Sequence, residues 1–275
     1  LAPNLQHLTV GENELKMIWR GEFQGTHLHN LKVLTLLFHG LSTVLPCGFL
    51  EQVSSIEKLV VIGESGYKTY CLRGPNVEET GLLDLSQMKV LRLESLSNLN
   101  TIGLENSWNE PFLRNLETLQ VGNCSGLRNL APSPLGFPNL ICLFVFGCHG
   151  LKNLFISSTA KSLAQLKRME IKSCRSIEEI VSKEGDESHE NEIIFQQLKC
   201  LNLEKLPYLR SFYKGSLSFP SLDQLSVINC NRMETLCVGT LNADKLLGVQ
   251  FHENSHAIPL DVDLNSTLQK AFLVK

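Results

Sequence analysis

Apolar and polar positions recur with one phase in five separate stretches of the chain: LETLQVGNCSGLRNL (Leu116 to Leu130), LICLFVFGCHGLKNL (Leu140 to Leu154), LKRMEIKSCRSIEEI (Leu166 to Ile180), LKCLNLEKLPYLRSF (Leu198 to Phe212) and LDQLSVINCNRMETL (Leu222 to Leu236). All fit L-x-x-L-x-L-x-x-C-x-x-L-x-x-L with conservative exchanges. The central L-x-L has period two, so Leu119 and Val121 point to one side while Thr118, Gln120 and Gly122 point to the other, as in a half-buried strand. Weaker copies begin at Leu5, Leu31, Ile56, Met88 and Leu246, giving ten registers with steps of 26, 25, 32, 28, 24, 26, 32, 24 and 24 residues. One short strand per register is predicted, each pairing in parallel with the next, with the chain turning at the cysteine and apolar residues such as Leu127 and Leu130 burying the return leg.

An apolar residue precedes nearly every starting position by three: Leu28, Val53, Leu85, Leu113, Phe137, Leu163, Phe195 and Phe219, with the small residues Ala2 and Ala243 at the two ends. These should stack as a spine. The pattern is a leucine-rich repeat, in which no unit can cover its own apolar face and stability comes from neighbours. The predicted fold class is an α/β solenoid, an irregular horseshoe of about ten repeats with a parallel concave sheet and a convex side of loops or short helices. The solenoid is expected over residues 1–254 and a closing tail over 255–275. SSTAKSLAQL (Ser157 to Leu166) reads as a short helix capped by Ser or Thr. The two 32-residue steps mark insertions, Gly63 to Leu82 with Tyr67, Tyr70 and Cys71, and Ser182 to Asn191, whose charged and polar makeup reads as a mobile excursion.

The outward positions of the strands define candidate binding residues. Leu37, Val60 and Ile62 should form an exposed apolar patch with Arg92 beside it. Phe144 and Phe146 should present two aromatics next to a charged row, Arg168, Glu170 and Lys172. Exposed aromatics beside charges are what protein interfaces are built around; β-branched and aromatic residues also simply suit strands, and a neighbouring domain can cover them.

With 25 Lys and Arg against 28 Asp and Glu, the net charge of −3 favours neither nucleic acid nor an anionic membrane as partner. No apolar run approaches the roughly 20 residues of a membrane span. Nine cysteines without a C-x-x-C pair point to a reducing compartment. The first residues carry no initiator Met or signal region, the expectation being a piece of a longer protein. The N-x-[ST] sequences at Asn123 and Asn265 are too short to signify glycosylation by themselves.

Catalytic chemistry has one candidate, HENSH (His252 to His256), which spells the zinc-peptidase signature H-E-x-x-H. The register makes Leu246, Val249 and Phe251 inward positions of the last repeat, so His252 ends a strand. Along an extended chain four residues cover roughly 13 Å, too far for two ligands of one zinc. The column Cys124, Cys148, Cys174 and Cys230 reads as a small, weakly polar group buried against backbone, since no histidine or carboxylate column completes a metal shell. No serine-nucleophile elbow or phosphate-cradling G-x-x-x-x-G-K-[ST] occurs, and Glu178 and Glu179 lie where a solvated convex face should be. No enzyme activity, metal or cofactor is expected from these residues.

The repeat form, its irregular lengths, the Phe-Pro-x-Leu starts (Phe137 to Leu140, Phe219 to Leu222), the acidic insertion between IEEIV and FQQLKCLNLEKLPYL, and the closing DLNSTLQKAF (Asp263 to Phe272) together resemble the repeat region of plant intracellular nucleotide-binding leucine-rich-repeat immune receptors of the coiled-coil class. The resemblance implies a cytoplasmic, and also nuclear, module for recognition and autoinhibition. Its partners would be a pathogen effector or a guarded host protein, together with the receptor's own nucleotide-binding module. ATP or ADP would bind that upstream module. The alternative is the substrate-receptor repeat domain of an F-box ubiquitin ligase, which shares the fold.

Overall fold

The computed structural model describes residues 4–19, 28–38, 53, 55–64, 86–102, 111–130, 136–184, 192–253, 255–260 and 263–273. Its principal sheet has 11 strands, joined in chain order by parallel pairings until the last, antiparallel one. Strands run at His7–Gly11, Val33–Leu37, Lys58–Ile62, Val90–Glu94, Thr118–Gly122, Cys142–Phe146, Arg168–Lys172, Cys200–Glu204, Gln224–Ile228 and Gly248–Gln250. Each begins two residues after a starting position of the repeat, so all ten registers are realised as one stack of parallel strands.

The core is a column of repeated inward residues. Leu116, Leu119, Val121, Leu127 and Leu130 are all fully buried, and the equivalent positions of the neighbouring repeats are closed in the same way. The residue three places before each start has a backbone role as well as an apolar one: its carbonyl accepts the N–H of the starting residue, as in Leu140 to Phe137 at 3.1 Å, Leu198 to Phe195 at 3.3 Å and Leu222 to Phe219 at 3.2 Å. A turn of this span closes four residues, which explains the fixed spacing of the spine. Burial then stacks the rings: Phe195 lies on Phe219 with centroids 5.5 Å apart, and Phe212 meets both edge-on at 5.7 Å. Ala2 and Leu85 lie outside the described residues.

On the return legs, short strands join the helices and loops expected there. Phe155–Ile156 pairs with Val181–Ser182, Ser211–Tyr213 with Thr235–Cys237, and Glu192–Ile194 with Ser216–Ser218 and then Leu241–Asn242, all in parallel. The extra pairing concentrates where the repeat step is a constant 24 residues, from Leu198 to Leu246. Equal length keeps two of these pairs in register, Ser211–Tyr213 with Thr235–Cys237 and Ser216–Ser218 with Leu241–Asn242, while the other two pairs join legs of different length.

The predicted helix within Ser157 to Leu166 is shorter and capped differently, spanning Ser157–Lys161 with Ile156 at the N-cap and no side-chain cap bond. The Glu184 carboxylate of the following repeat takes that place, accepting from the Ser158 N–H at 3.3 Å and the Ser157 hydroxyl at 3.4 Å. Near the other end of the chain, Glu12–Trp19 forms a helix that turns Leu15 and Ile18 inward. The predicted excursions fall largely outside the described residues, including Tyr67, Tyr70 and Cys71 and residues 185–191, as does Trp108.

Ile258–Pro259 pairs antiparallel with the final parallel strand, through Val249 to Ile258 and Gly248 to Pro259. The Leu264–Leu273 helix then buries Leu264 and Leu268. Its first turn is held by Asp263, whose carboxylate accepts the Ser266 N–H at 2.8 Å. Asn265 bonds to Thr235, to the Leu236 N–H and to the Cys237 carbonyl, at 2.7, 3.1 and 3.2 Å. These contacts cover the free edge of the return-leg strand Thr235–Cys237.

Candidate interaction face

Parallel register aligns the outward residues of the sheet in three rows. The middle row reads Thr9, Thr35, Val60, Arg92, Gln120, Phe144, Glu170, Asn202, Ser226 and Gln250. The third reads Gly11, Leu37, Ile62, Glu94, Gly122, Phe146, Lys172, Glu204 and Ile228. All nine candidate residues lie on this one face, across six consecutive strands, with Arg168 in the first row between Cys142 and Cys200.

The apolar patch needs one correction. Leu37 and Ile62 are adjacent and half-buried, but Val60 is only 7% exposed. Its short branched side chain is flanked in its own row by Thr35 and Arg92 and in the next by Leu37 and Ile62. Arg92 does not stand free beside the patch: its guanidinium folds along the strand onto Glu94, with Nη2 2.6 Å and Nε 3.2 Å from Oε2.

Phe144 and Phe146 are half-buried on adjacent rows. Phe146 packs over Gly122, where an added Cβ would sit 1.9 Å from its Cζ. The ring therefore occupies the space a side chain at Gly122 would need, while its free face continues the concave surface. Gln120 and Glu170 flank Phe144 in register.

Beyond the aromatics runs a chain of alternating charge. Glu170 bridges Arg168 at 2.5 Å and Lys172 at 3.2 Å; Lys172 reaches Glu204 at 3.5 Å; Lys205 joins Glu204 at 2.9 Å and Glu253 at 3.0 Å. The Lys205 hydrogen bond holds the Glu204 carboxyl below its ordinary value despite partial burial. Burial works against the Lys172 ammonium, but Glu170 and Glu204 outweigh it and raise its pKa. The hydrogen bond that Arg168 donates to Glu170 likewise raises the pKa of Arg168. The sequence marks the first three members as binding candidates and puts Glu204 on the same outward face, while Lys205 and Glu253 stand outside the strand pattern. Glu204 was legible, since the repeat register puts it beside Lys172. Lys205 was not, because it reaches Glu204 and Glu253 from a left-handed backbone, φ +54°, just past the strand end.

That left-handed residue is itself a repeat feature. Ser95, Asn123, Gly147, Ser173, Lys205 and Asn229, each the first residue after a strand, have φ between 53° and 63°. The turn brings the following cysteine under the strand end. The Sγ of Cys124, Cys148 and Cys174 donates to the carbonyl two residues earlier at 3.3, 3.5 and 3.4 Å, and Cys230 does so at 3.6 Å. Burial pushes the Cys174 thiol up to about 12. Cys148 is lowered instead, by its hydrogen bond with Cys124.

HENSH forms no helix over its described residues. His252 and Glu253 are exposed, and the His252 carbonyl accepts from the Ser255 hydroxyl at 2.9 Å and from Gln250 Nε2 at 3.1 Å. Among the described residues, no three His, Cys, Asp or Glu side chains come together as a metal site. An open hollow of about 410 Å3 lies away from the aromatics, between Gln6, Lys32 and Glu57 at the opposite end of the sheet. Among the described residues, no helix is long and apolar enough to cross a membrane.

A family model for plant disease resistance protein RPS2-like leucine-rich repeats matches residues 4–136 and 131–246. The chain belongs to this family.

Among its relatives in Arabidopsis thaliana, disease resistance protein RPS5 is 31% identical over 150 residues, 54% of this chain and 16% of that protein. Disease resistance protein UNI is 27% identical over 266 residues, covering 90% of the chain and 29% of UNI. Disease resistance protein SUMM2 is 27% identical over 198 residues, covering 71% of the chain and 20% of SUMM2. The chain thus spans less than a third of each of these resistance proteins. In this family's terms it is a defence-related leucine-rich-repeat region.

Proposed function

We propose that the chain is the recognition and autoinhibitory repeat region of a nucleotide-binding plant immune receptor of the coiled-coil class, working in the cytoplasm and nucleus. Its concave face binds a pathogen effector or a host protein altered by one, and in the resting receptor it also contacts the receptor's own nucleotide-binding module, where ATP or ADP binds. The residues of this chain supply binding and no catalysis. Relatedness to resistance proteins favours this reading over the ubiquitin-ligase alternative.

The observation that carries the proposal is the pair Phe144 and Phe146, half-buried on the concave face, with Phe146 packed over Gly122 and a self-neutralised charge chain at its flank. Pre-positioned aromatics lose little conformational freedom on binding, and a rim of paired charges keeps competing water and wrong partners out. Leu37, Ile62 and Arg92 extend the face, with Val60 as their buried support.

The test is the double substitution Phe144→Ala and Phe146→Ala in the full-length receptor. Loss of the elicited defence response, or a response without elicitor, with unchanged protein level supports recognition or autoinhibition respectively. A receptor that still rests and responds as the parent does contradicts the proposal.

A further inference from the structure

The loops that follow the strands carry a second set of charges, arranged differently from the concave chain. Backbone bonds from Glu178 to the Lys152 carbonyl, from Arg210 to Glu178 and from Glu234 to Arg210, each 2.9 Å, stack equivalent positions of four repeats into a column. Just before that column, on three consecutive repeats, come Arg175, Tyr208 and Arg232, all exposed. Tyr208 is among the few large apolar side chains left open to solvent, at 47%, and the Arg232 guanidinium stands 4.6 Å over its ring. Arg175, Arg210 and Arg232 form no ion pair among the described residues, whereas every member of the concave charge chain is paired.

We propose that this edge, centred on Tyr208 and Arg232 and flanked by Arg175 and Arg210, docks an acidic segment of a protein, separately from the concave face. Three guanidiniums set one repeat step apart repel one another weakly in water, and an incoming row of carboxylates relieves that repulsion while accepting their forked N–H groups. The cation–π contact holds the Arg232 guanidinium over the Tyr208 ring, with N–H groups left to bond carboxylates and the ring rim left to take an apolar side chain. Tyrosine and arginine are the residue types that dominate binding energy at protein interfaces. The interleaved Glu178 and Glu234 argue for a protein over a phosphate backbone or lipid headgroups, because a uniform polyanion would meet both carboxylates, whereas a peptide can place a neutral or basic residue opposite each.

The experiment titrates the purified chain into a fluorescein-labelled peptide of alternating Glu and Leu, in parallel with phosphatidylserine vesicles and duplex RNA. Peptide binding that weakens with added salt is expected, together with a loss on the order of tenfold or more when Arg175, Arg210 and Arg232 are changed to Glu, and a clear loss for Tyr208→Ala. Circular dichroism shows whether each variant keeps its fold, and Phe144→Ala with Phe146→Ala should bind the peptide as the parent does, separating this edge from the concave face. Absence of peptide binding, undiminished binding by the charge-reversed chain, or vesicles or RNA binding as well as the peptide would each overturn the proposal.

Discussion

The ring of Phe146 occupies the space over Gly122, one strand away, so closely that a methyl group there would lie 1.9 Å from Cζ. A residue without a side chain on one repeat thus makes room for an aromatic on the next. Gly122→Ala should rotate the Phe146 ring out, because the obstructing atoms are the far end of a movable side chain. Stability should change by no more than about 1 kcal/mol while the Phe146 ring resonances shift and partner affinity falls. Urea unfolding and ring NMR measure the two effects separately.

Gly147 stands at the left-handed position, φ +63°. A side chain there is strained whatever space surrounds it, and its Cβ would also approach Asn123 Oδ1 to 2.3 Å. Gly147→Ala is expected to cost roughly 1–2 kcal/mol, read as a lower urea midpoint with unchanged slope.

Cys174 gives the fold an alkaline limit. Burial raises its thiol from 9.0 to about 12, so in the folded chain it stays protonated where the unfolded chain ionises. The unfolded state then binds fewer protons, and stability falls as pH rises. The contribution is complete below pH 9, is lost progressively toward pH 12 and should diminish in Cys174→Ala. Thermal unfolding across that range checks it, as does resistance of Cys174 to iodoacetamide in the folded chain.

Asp263 acts at the acid end. The Ser266 backbone N–H, and then its hydroxyl, hold the Asp263 carboxyl below its ordinary value. Stability from this cap is present above the unfolded pKa and is lost as pH falls through the lower, folded one. Asp263→Ala should weaken the Leu264–Leu273 helix by about 1 kcal/mol, seen as faster amide exchange in its first turns and not in the parallel strands.

Period-two alternation plus a constant spacing within each repeat motif left little freedom, so the ten strands lie where the repeat pattern puts them. The apolar residue three positions upstream was equally legible, although its reason, a backbone turn onto the starting leucine, emerges only from the hydrogen bonds. The return-leg strands were hidden because they depend on backbone pairing between neighbouring repeats, a relation that no single repeat displays. At the face, position was readable and accessibility was not. Val60 alternates outward like Leu37 and Ile62, yet its neighbours close over it. Lys205 and Glu253 meet across 48 residues, and only the left-handed turn at Lys205 brings them together.

The central claim is that the aromatic stretch of the concave sheet contacts the partner. Site-specific photocrosslinking in the full-length receptor tests it most directly, with a benzophenone side chain placed at Phe144 or, for comparison, at the exposed return-leg residue Ile194. The account predicts that the elicitor-dependent adduct forms from position 144 and is absent from position 194. An elicitor-dependent adduct from position 194 with none from position 144 would contradict it.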